Sequence, residues 1–312
     1  MTGAGGFLGG CLVNRLAATP CRIVRVARST LVPLALPHAA TVVDVVGDVR
    51  HEATWTRGVA GADVIVHFAA QTSVAVATEN PARDLDANVA PIRILLAACR
   101  HLRPAPVILF AGTVTQTGVP SQTPVNEDTP DDPVSIYDQH KLMAEQELTR
   151  AVSAGTARGA TLRLANVYGP GSPGRSKDRE VLNRMIRAAL RGEPLTVFGA
   201  GDYLRDYLFV DDAVDAFLMA GAKADCLNGR HYVIGSGIGT TIRDAFELIA
   251  ARAEAATGRP TLVITAEAQP LSRLEQRHFV ADVSRFAADT GWRPTCKLSD
   301  GIDRTIEAYQ CE

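Results

Sequence analysis

Apolar residues follow two rhythms along the first half of the chain. Short runs rich in β-branched side chains, at Arg22–Ala27, Thr41–Val46, 63–68, 107–111 and 161–165, have the length and flanking turns of buried strands. Between them apolar positions recur at helical spacing, most clearly over 84–103 and 137–153. Strand alternating with helix predicts an α/β fold, a doubly wound parallel sheet covered on both faces, with ligands at the carboxyl ends of the strands. After Gly169-Pro170-Gly171 the rhythm breaks into a loop rich in Gly, Pro and charge, followed by a helix near 181–191 and a short strand at Leu195–Phe198. The expected division is a main unit over 1–165, with 207–235 returning to it, and a smaller carboxyl-terminal lobe from 166–206 and 236–312.

Glycines at 3, 6 and 9, in Thr2-Gly3-Ala4-Gly5-Gly6-Phe7-Leu8-Gly9, stand immediately before a helical pattern over 10–18. Missing side chains allow a tight turn and let backbone N–H groups approach a pyrophosphate at the positive end of a helix. A strand, the Gly47-Asp48 turn and the apolar run ending at Phe68-Ala69-Ala70 follow in the order of a dinucleotide-binding Rossmann-type unit. Such a turn is fed by a strand of about five residues, whereas only Met1 and Thr2 precede this one. The expectation is a start upstream of Met1, because two interior sheet edges are otherwise left unpaired.

The second strand ends Arg25-Val26-Ala27-Arg28-Ser29. An NAD site carries an acidic residue there for the ribose hydroxyls; here Ala27 stands in its place and a guanidinium follows. Arg28 can pair bidentately with a 2′-phosphate, so NADP(H) is favoured, with NAD(H) the alternative and a solvated loop charge the plain reading of Arg28.

Composition narrows the partners. Lys+Arg 32 against Asp+Glu 34 leaves a net charge of -2, with 46% hydrophobic and 21% charged residues, so neither nucleic acid nor membrane is an expected partner. The cysteines at 11, 21, 99, 226, 296 and 311 form no C-x-x-C pair and no zinc spacing, which predicts reduced thiols in a cytoplasmic protein without a metal site. Leu8-Gly9-Gly10-Cys11 has the outline of a lipoprotein cleavage site without its basic leader or apolar segment.

Tyr137-Asp138-Gln139-His140-Lys141 places a Tyr and a Lys at i and i+4, on one face of a helix. An ammonium near a phenol favours the phenolate, so the expectation is a Tyr137 with a lowered pKa, acting as a proton shuttle.

With this pair in place, the chain resembles the extended short-chain dehydrogenase/reductase family, in its NAD(P)-dependent nucleotide-sugar epimerase/dehydratase/ketoreductase branch. The signs are TGAGGFLG from Thr2, HFAAQTSV from His67, Asn88, FAGTVTQTG from Phe110, YDQHK from Tyr137, LANVYGPG from Leu164, VFGAGDYLRDYLFVDD from Val197 and ADVSRFAADTGWRP from Ala281. The resemblance implies that Tyr137 is the acid/base, Lys141 orients it and holds the nicotinamide ribose, and Thr113 fills the Ser/Thr position. It implies cofactor contacts at Gly3, Gly6, Phe7, Leu8, Gly9, Arg28, Asp48, Val49, Phe68, Ala69, Ala70 and Asn88. For an NDP-sugar it implies Gln71, Ser73, Thr113, Thr115, Asn166, Val197, Phe198, Arg205 and Arg273, with Arg277 competing for the second diphosphate position. Core packing is the alternative for Phe198, and an ion pair with Asp206 the alternative for Arg205. Asp138 and His140 stand where the family pattern has Gly and Ser. A homodimer joined through the helices at 84–103 and 137–153 is also implied.

Residues beside Thr113 sort the reactions. Val114 and Thr115 cannot titrate, which disfavours 4,6-dehydration and decarboxylation, since those relatives carry acids there; the 3,5-epimerase/reductase relatives carry a Cys at the position of Thr115. Two enzyme readings remain: an NADPH-dependent 4-ketoreductase acting on an NDP-4-keto-(deoxy)hexose, and an NDP-sugar 4-epimerase with tightly bound NAD. Arg28 favours the first. A non-enzymatic dinucleotide sensor is a third reading, against which the intact Tyr/Lys pair counts.

Overall fold

The structure, a computed structural model, describes residues 1–34, 37–171, 180–267 and 273–312. Most of the loop expected after Gly171 lies outside the described residues. In chain order the main unit comprises α1 (Phe7–Ala17), β1 (Arg22–Ala27), β2 (Thr41–Val46), α2 (Glu52–Gly58), β3 (Val64–His67), α3 (Val74–Glu79), α4 (Pro81–Asn88), α5 (Ala90–Cys99), β4 (Val107–Thr113), α6 (Ile136–Ser153) and β5 (Arg158–Leu164). There follow β6 (Asn166–Tyr168), α7 (Val181–Leu190), β7 (Leu195–Phe198), β8 (Leu204–Phe209), α8 (Val210–Ala222), α9 (Ala224–Leu227), β9 (His231–Ile234), β10 (Gly239–Thr241), α10 (Ile242–Thr257), β11 (Val263–Ala266), α11 (Ser284–Thr290) and α12 (Leu298–Gln310).

All pairings of the main sheet are parallel: β2 with β1, then β3, β4, β5 and β9 in order. Between β1 and β3 stands Thr2, bridged to Val26 on one side and His67 on the other. Alternation along β4 sends Ile108 and Phe110 to one face, against Trp55, Ile92, Leu95 and Leu148, and Val107 and Leu109 to the other, against Phe217. This is the Rossmann-type arrangement, and it aligns the carboxyl ends of β1, β3 and β4 beside the glycine turn.

Two expectations need correction. The run Thr41–Val46 is not a buried strand: β2 is the sheet edge, Val45 alone among its residues is buried, and Asp44 instead receives Arg25 through two bonds of 2.7 Å. The single helix at 84–103 is two helices. It begins earlier, where the Asn80 side chain accepts from Arg83 N–H and Pro81 opens the first turn, and it breaks at Val89 because Pro91 supplies no amide hydrogen for the ladder.

The smaller sheets β10-β8-β6 and β11-β7 pack with α7, α10 and α12 around Leu182, Ile186, Val197, Phe246, Ile249 and Ile306. No described helix is long and apolar enough to cross a membrane.

Candidate active site

The glycine turn is built by main chain packed on main chain. Gly3 has φ 65°, and a Cβ there would lie 2.9 Å from Ala69 N; a Cβ on Gly9 would lie 2.2 Å from the Gly3 carbonyl oxygen. No side chain caps α1 at Gly6 and its first turn carries no acid, so the positive end of the helix is left for an anion. The cradle fits the pyrophosphate of a dinucleotide. Phe7 turns its ring into the lobe core, and Phe68 packs edge-on against Phe217 at 4.7 Å between centroids. Ala69 N–H donates to Thr2 Oγ1, and Val49 O accepts from Trp55 Nε1 at 2.6 Å, so both backbones are fixed beside the turn.

At the end of β1, Ala27 offers no carboxylate and Arg28 is exposed, with no ion pair among the described residues. Across the cleft Asp48 is held by Arg50 through Oδ1 at 3.0 Å and Oδ2 at 2.8 Å, and this guanidinium keeps its carboxyl down at about 2.

Thr113 is the last residue of β4, and Tyr137 and Lys141 lie in the first two turns of α6, whose N-terminus Ser135 caps by accepting from Asp138 N–H at 3.1 Å. Lys141 is buried; its Nζ donates to Ala111 O at 2.5 Å and sits 4.0 Å from the Phe110 ring centroid. Burial pulls it down to about 7, against the pull of Glu145 and Asp84. Tyr137 does not become a ready phenolate. Burial, with Asp138 and Asp84 adding negative charge, pushes its hydroxyl well above the ordinary range, because the lysine is anchored on the Ala111 carbonyl and is itself desolvated. Burial therefore favours the phenol over the phenolate at Tyr137.

Both departures from the family pattern do work in the site. His140 Nδ1 lies 2.7 Å from Asp84 Oδ2, and Asp84 Oδ1 accepts from Gln71 Nε2 at 2.7 Å and Asn88 Nδ2 at 3.0 Å. Asn88 Oδ1 accepts from Gln71 N–H, which fastens the loop after β3 to α4 and α6. Gln71 is thereby tied into local structure, and Ser73 caps α3, so neither side chain is simply turned to a ligand. Asp138, buried, accepts from Thr115 Oγ1 and from Ser135 Oγ, the latter at 2.8 Å. A carboxylate thus reaches the Thr115 hydroxyl although no acid adjoins Thr113 in sequence, and Val114 and Thr115 remain the non-titrating pair that follows Thr113. The Ser135-x-x-Asp138 spacing signals the helix cap that orients Asp138, but not its bond to Thr115.

On the lobe side, Asn166 is exposed and donates through Nδ2 to Asp206 O at 3.1 Å. Phe198 is 59% exposed, which answers the core-packing alternative. Val197 is buried in the lobe core, leaving only its backbone for a ligand. Arg205 makes no ion pair with Asp206; it donates to the carbonyls of Leu204, Arg277 and Glu275, while Asp206 accepts the N–H groups of Ser236, Gly237 and Ala281. Arg273 is exposed beside the undescribed residues 268–272. Arg277 instead points inward, electrostatically coupled to Asp138 and Arg205, and its Nη1 is buried without a partner among the described residues.

A model of the NAD dependent epimerase/dehydratase family matches residues 1–235. The chain belongs to that family. It is an enzyme of the extended short-chain dehydrogenase/reductase type. A UDP-glucose 4-epimerase of Mycolicibacterium smegmatis is 31% identical to this epimerase/dehydratase-family chain over 99% of it and 97% of the relative. A dTDP-4-dehydro-6-deoxyglucose reductase of Escherichia coli is 27% identical over 66% of this chain and 62% of the relative. The crystal structure of a UDP-glucose 4-epimerase from Thermotoga maritima with UDP-glucose superposes with a TM-score of 0.86 at 27% identity, covering 99% of this chain and 97% of that one.

Proposed function

We propose that this enzyme reduces the C4 ketone of a nucleotide-linked keto sugar with NADPH. The observation that carries the cofactor half is the end of β1, where an exposed Arg28 follows Ala27 and no carboxylate awaits the ribose hydroxyls. Thr113 at the end of β4 with Tyr137 and Lys141 in the first two turns of α6 supports the chemical half, burial keeping the Tyr137 hydroxyl protonated. The turn from Gly3 to Gly9 would hold the pyrophosphate, Asp48 the adenine, Arg28 the 2′-phosphate and Lys141 the nicotinamide ribose. When bound, the nicotinamide supplies the hydride for C4. Tyr137 donates its phenolic proton to O4, and Thr113 steadies that oxygen as charge develops on it. The diphosphate falls to Arg205 and Arg277, two half-buried guanidiniums whose partial desolvation favours an anionic partner, and the base to the exposed ring of Phe198.

A 4-epimerase retaining NAD is the second reading, and the full-length relative named above favours it. In either case residues 1–165 with 207–235 form the dinucleotide unit and the remainder the sugar lobe, in a cytoplasmic homodimer joined through α4, α5 and α6. Incubation with NADPH and a panel of NDP-4-keto-6-deoxysugars and NDP-hexoses tests the reading. Net loss of nicotinamide absorbance with a C4 alcohol as product supports reduction; NDP-hexose interconversion without net loss supports epimerisation.

A further inference from the structure

The Thr113 hydroxyl is wired to a carboxyl group. Thr113 Oγ1 lies 2.9 Å from Thr115 Oγ1, accepts Thr115 N–H at 3.3 Å, and Thr115 Oγ1 in turn pairs with Asp138 Oδ1. The single Ser135 hydroxyl hydrogen is committed to Asp138 Oδ2. Hydrogen counting then fixes the polarity of the chain. An ionised carboxylate only accepts, so Thr115 gives its hydrogen to Asp138, Thr113 gives its own to Thr115, and a lone pair of Thr113 faces the site. A protonated Asp138 reverses both bonds, and Thr113 then presents a hydrogen.

We propose that Asp138 is a positioning residue that sets, through Thr115, whether Thr113 donates or accepts at the sugar O4, and so which oxidation level of C4 the site holds more tightly. This rests on the reading that the enzyme acts at C4 of a nucleotide sugar. A ketone oxygen can only accept, and the protonated state serves it; a C4 alcohol whose oxygen already accepts from Tyr137 has its own hydrogen to place, which the ionised state receives on Thr113 and the protonated state does not. Burial pushes Asp138 above the usual carboxylate range, opposed by its bonds from Thr115 and Ser135 and by the Arg277 charge. Of the groups facing it, Arg277 stays charged and Tyr137 stays a phenol below pH 8. Lys141, drawn down to about 7 by burial, also changes charge over this range, and the comparison of wild type with Thr115→Val, which keeps Lys141 and Asp138 alike, separates its contribution.

The test is the affinity of the NADP⁺-loaded enzyme for UDP-glucose and dTDP-glucose, each with a C4 hydroxyl, across pH 4.5–8, with UDP and dTDP as sugar-free controls. In Asp138→Asn the amide oxygen is held by Ser135, so the amide N–H group faces Thr115 and mimics the protonated acid. The wild type should bind the NDP-hexose about 3- to 10-fold more tightly as pH rises through the Asp138 titration, the worth of one hydrogen bond. Asp138→Asn should bind it weakly relative to UDP and dTDP at every pH, the free nucleotides registering whatever the lost charge changes at Arg277. Thr115→Val, which leaves Asp138 and its cap in place, should abolish the same pH dependence and guards against a fold defect in the first variant. The proposal is overturned if both variants keep the wild-type pH dependence, or if sugar-free nucleotides lose affinity equally. If the wild type binds neither the sugars nor the free nucleotides, the nucleotide-sugar reading itself fails, and this inference with it.

Discussion

The proposed cofactor end of the site is built of backbone, whereas the proposed substrate end is built of side chains gathered from distant segments. Gly3, Gly6 and Gly9 lie within one short turn, packed on the Gly3 carbonyl and the backbone of Phe68 and Ala69, and leave room for no side chain. Asn166, Phe198, Arg205 and Arg277 come from three strands and one loop, and their positions depend on contacts such as the grip of Arg205 on the carbonyls of 275 and 277. A backbone site tolerates little substitution and selects a chemical group common to many cofactors. A side-chain site can be rebuilt one residue at a time, which is how one fold serves different sugars and reactions. The proposed catalytic residues sit on the seam: β4 delivers Thr113, α6 delivers Tyr137 and Lys141, and Asp138 on that same helix feels the charge of Arg277.

Variants that touch the seam should have the largest effects. Tyr137→Phe should lower kcat by about 10³-fold or more with cofactor affinity intact, since it removes the acid and little volume, while Thr113→Val should cost about 10²-fold. Near-normal turnover in Tyr137→Phe would show that the proton comes from elsewhere. Next comes the backbone site. Gly9→Ala drives a methyl group into the Gly3 carbonyl and should weaken NADPH by about 10- to 100-fold, read by fluorescence titration, while leaving free UDP binding unchanged. Equal loss of both ligands would mean that the two ends are not separable.

Arg28→Ala tests the one side chain on which cofactor choice is placed. A guanidinium on the 2′-phosphate is worth about 10- to 100-fold in favour of NADPH, and the variant should erase most of it with NADH nearly unchanged. Ala27→Asp should push further toward NADH. An unmodified enzyme that prefers NADH would contradict the assignment.

The smallest effect is on stability. Lys141 is held near 7 in the fold against an ordinary 10.5, so the folded state disfavours its charge, and the cost grows as pH falls from about 10 to 7 and is complete below that. Lys141→Met should raise Tm by about 2 °C or more at neutral pH, with the gain shrinking toward pH 10. A variant less stable than wild type at pH 7 would show that the Ala111 bond outweighs the buried charge.

These contrasts also explain what could be read in the sequence. The glycine turn, β1, β4 and the Tyr137/Lys141 pair are local patterns, and they stand where periodicity and spacing put them. The break at Pro91 was legible in principle, but the continuous apolar face of 84–103 masked it. The exposure of β2 was not legible, because β-branched residues look alike on an edge strand and in the interior. Least legible were the contacts made by the fold alone: Asp138 reaching Thr115 across 23 residues, Asp84 joining His140 across 56, and Arg277 turning inward while Arg273 faces solvent. The lowered Tyr137 pKa failed for the same reason, since helical spacing reports proximity but not desolvation.

The most direct test of the proposed reaction follows the hydrogen. With NADPH deuterated at the transferring position of C4 and an NDP-4-keto-6-deoxysugar as substrate, the account predicts one deuterium at C4 of the product sugar for each NADPH consumed. If instead an NDP-hexose is converted to its C4 epimer with its own C4 hydrogen retained and no label gained from the cofactor, the ketoreductase account is contradicted and the enzyme is an epimerase.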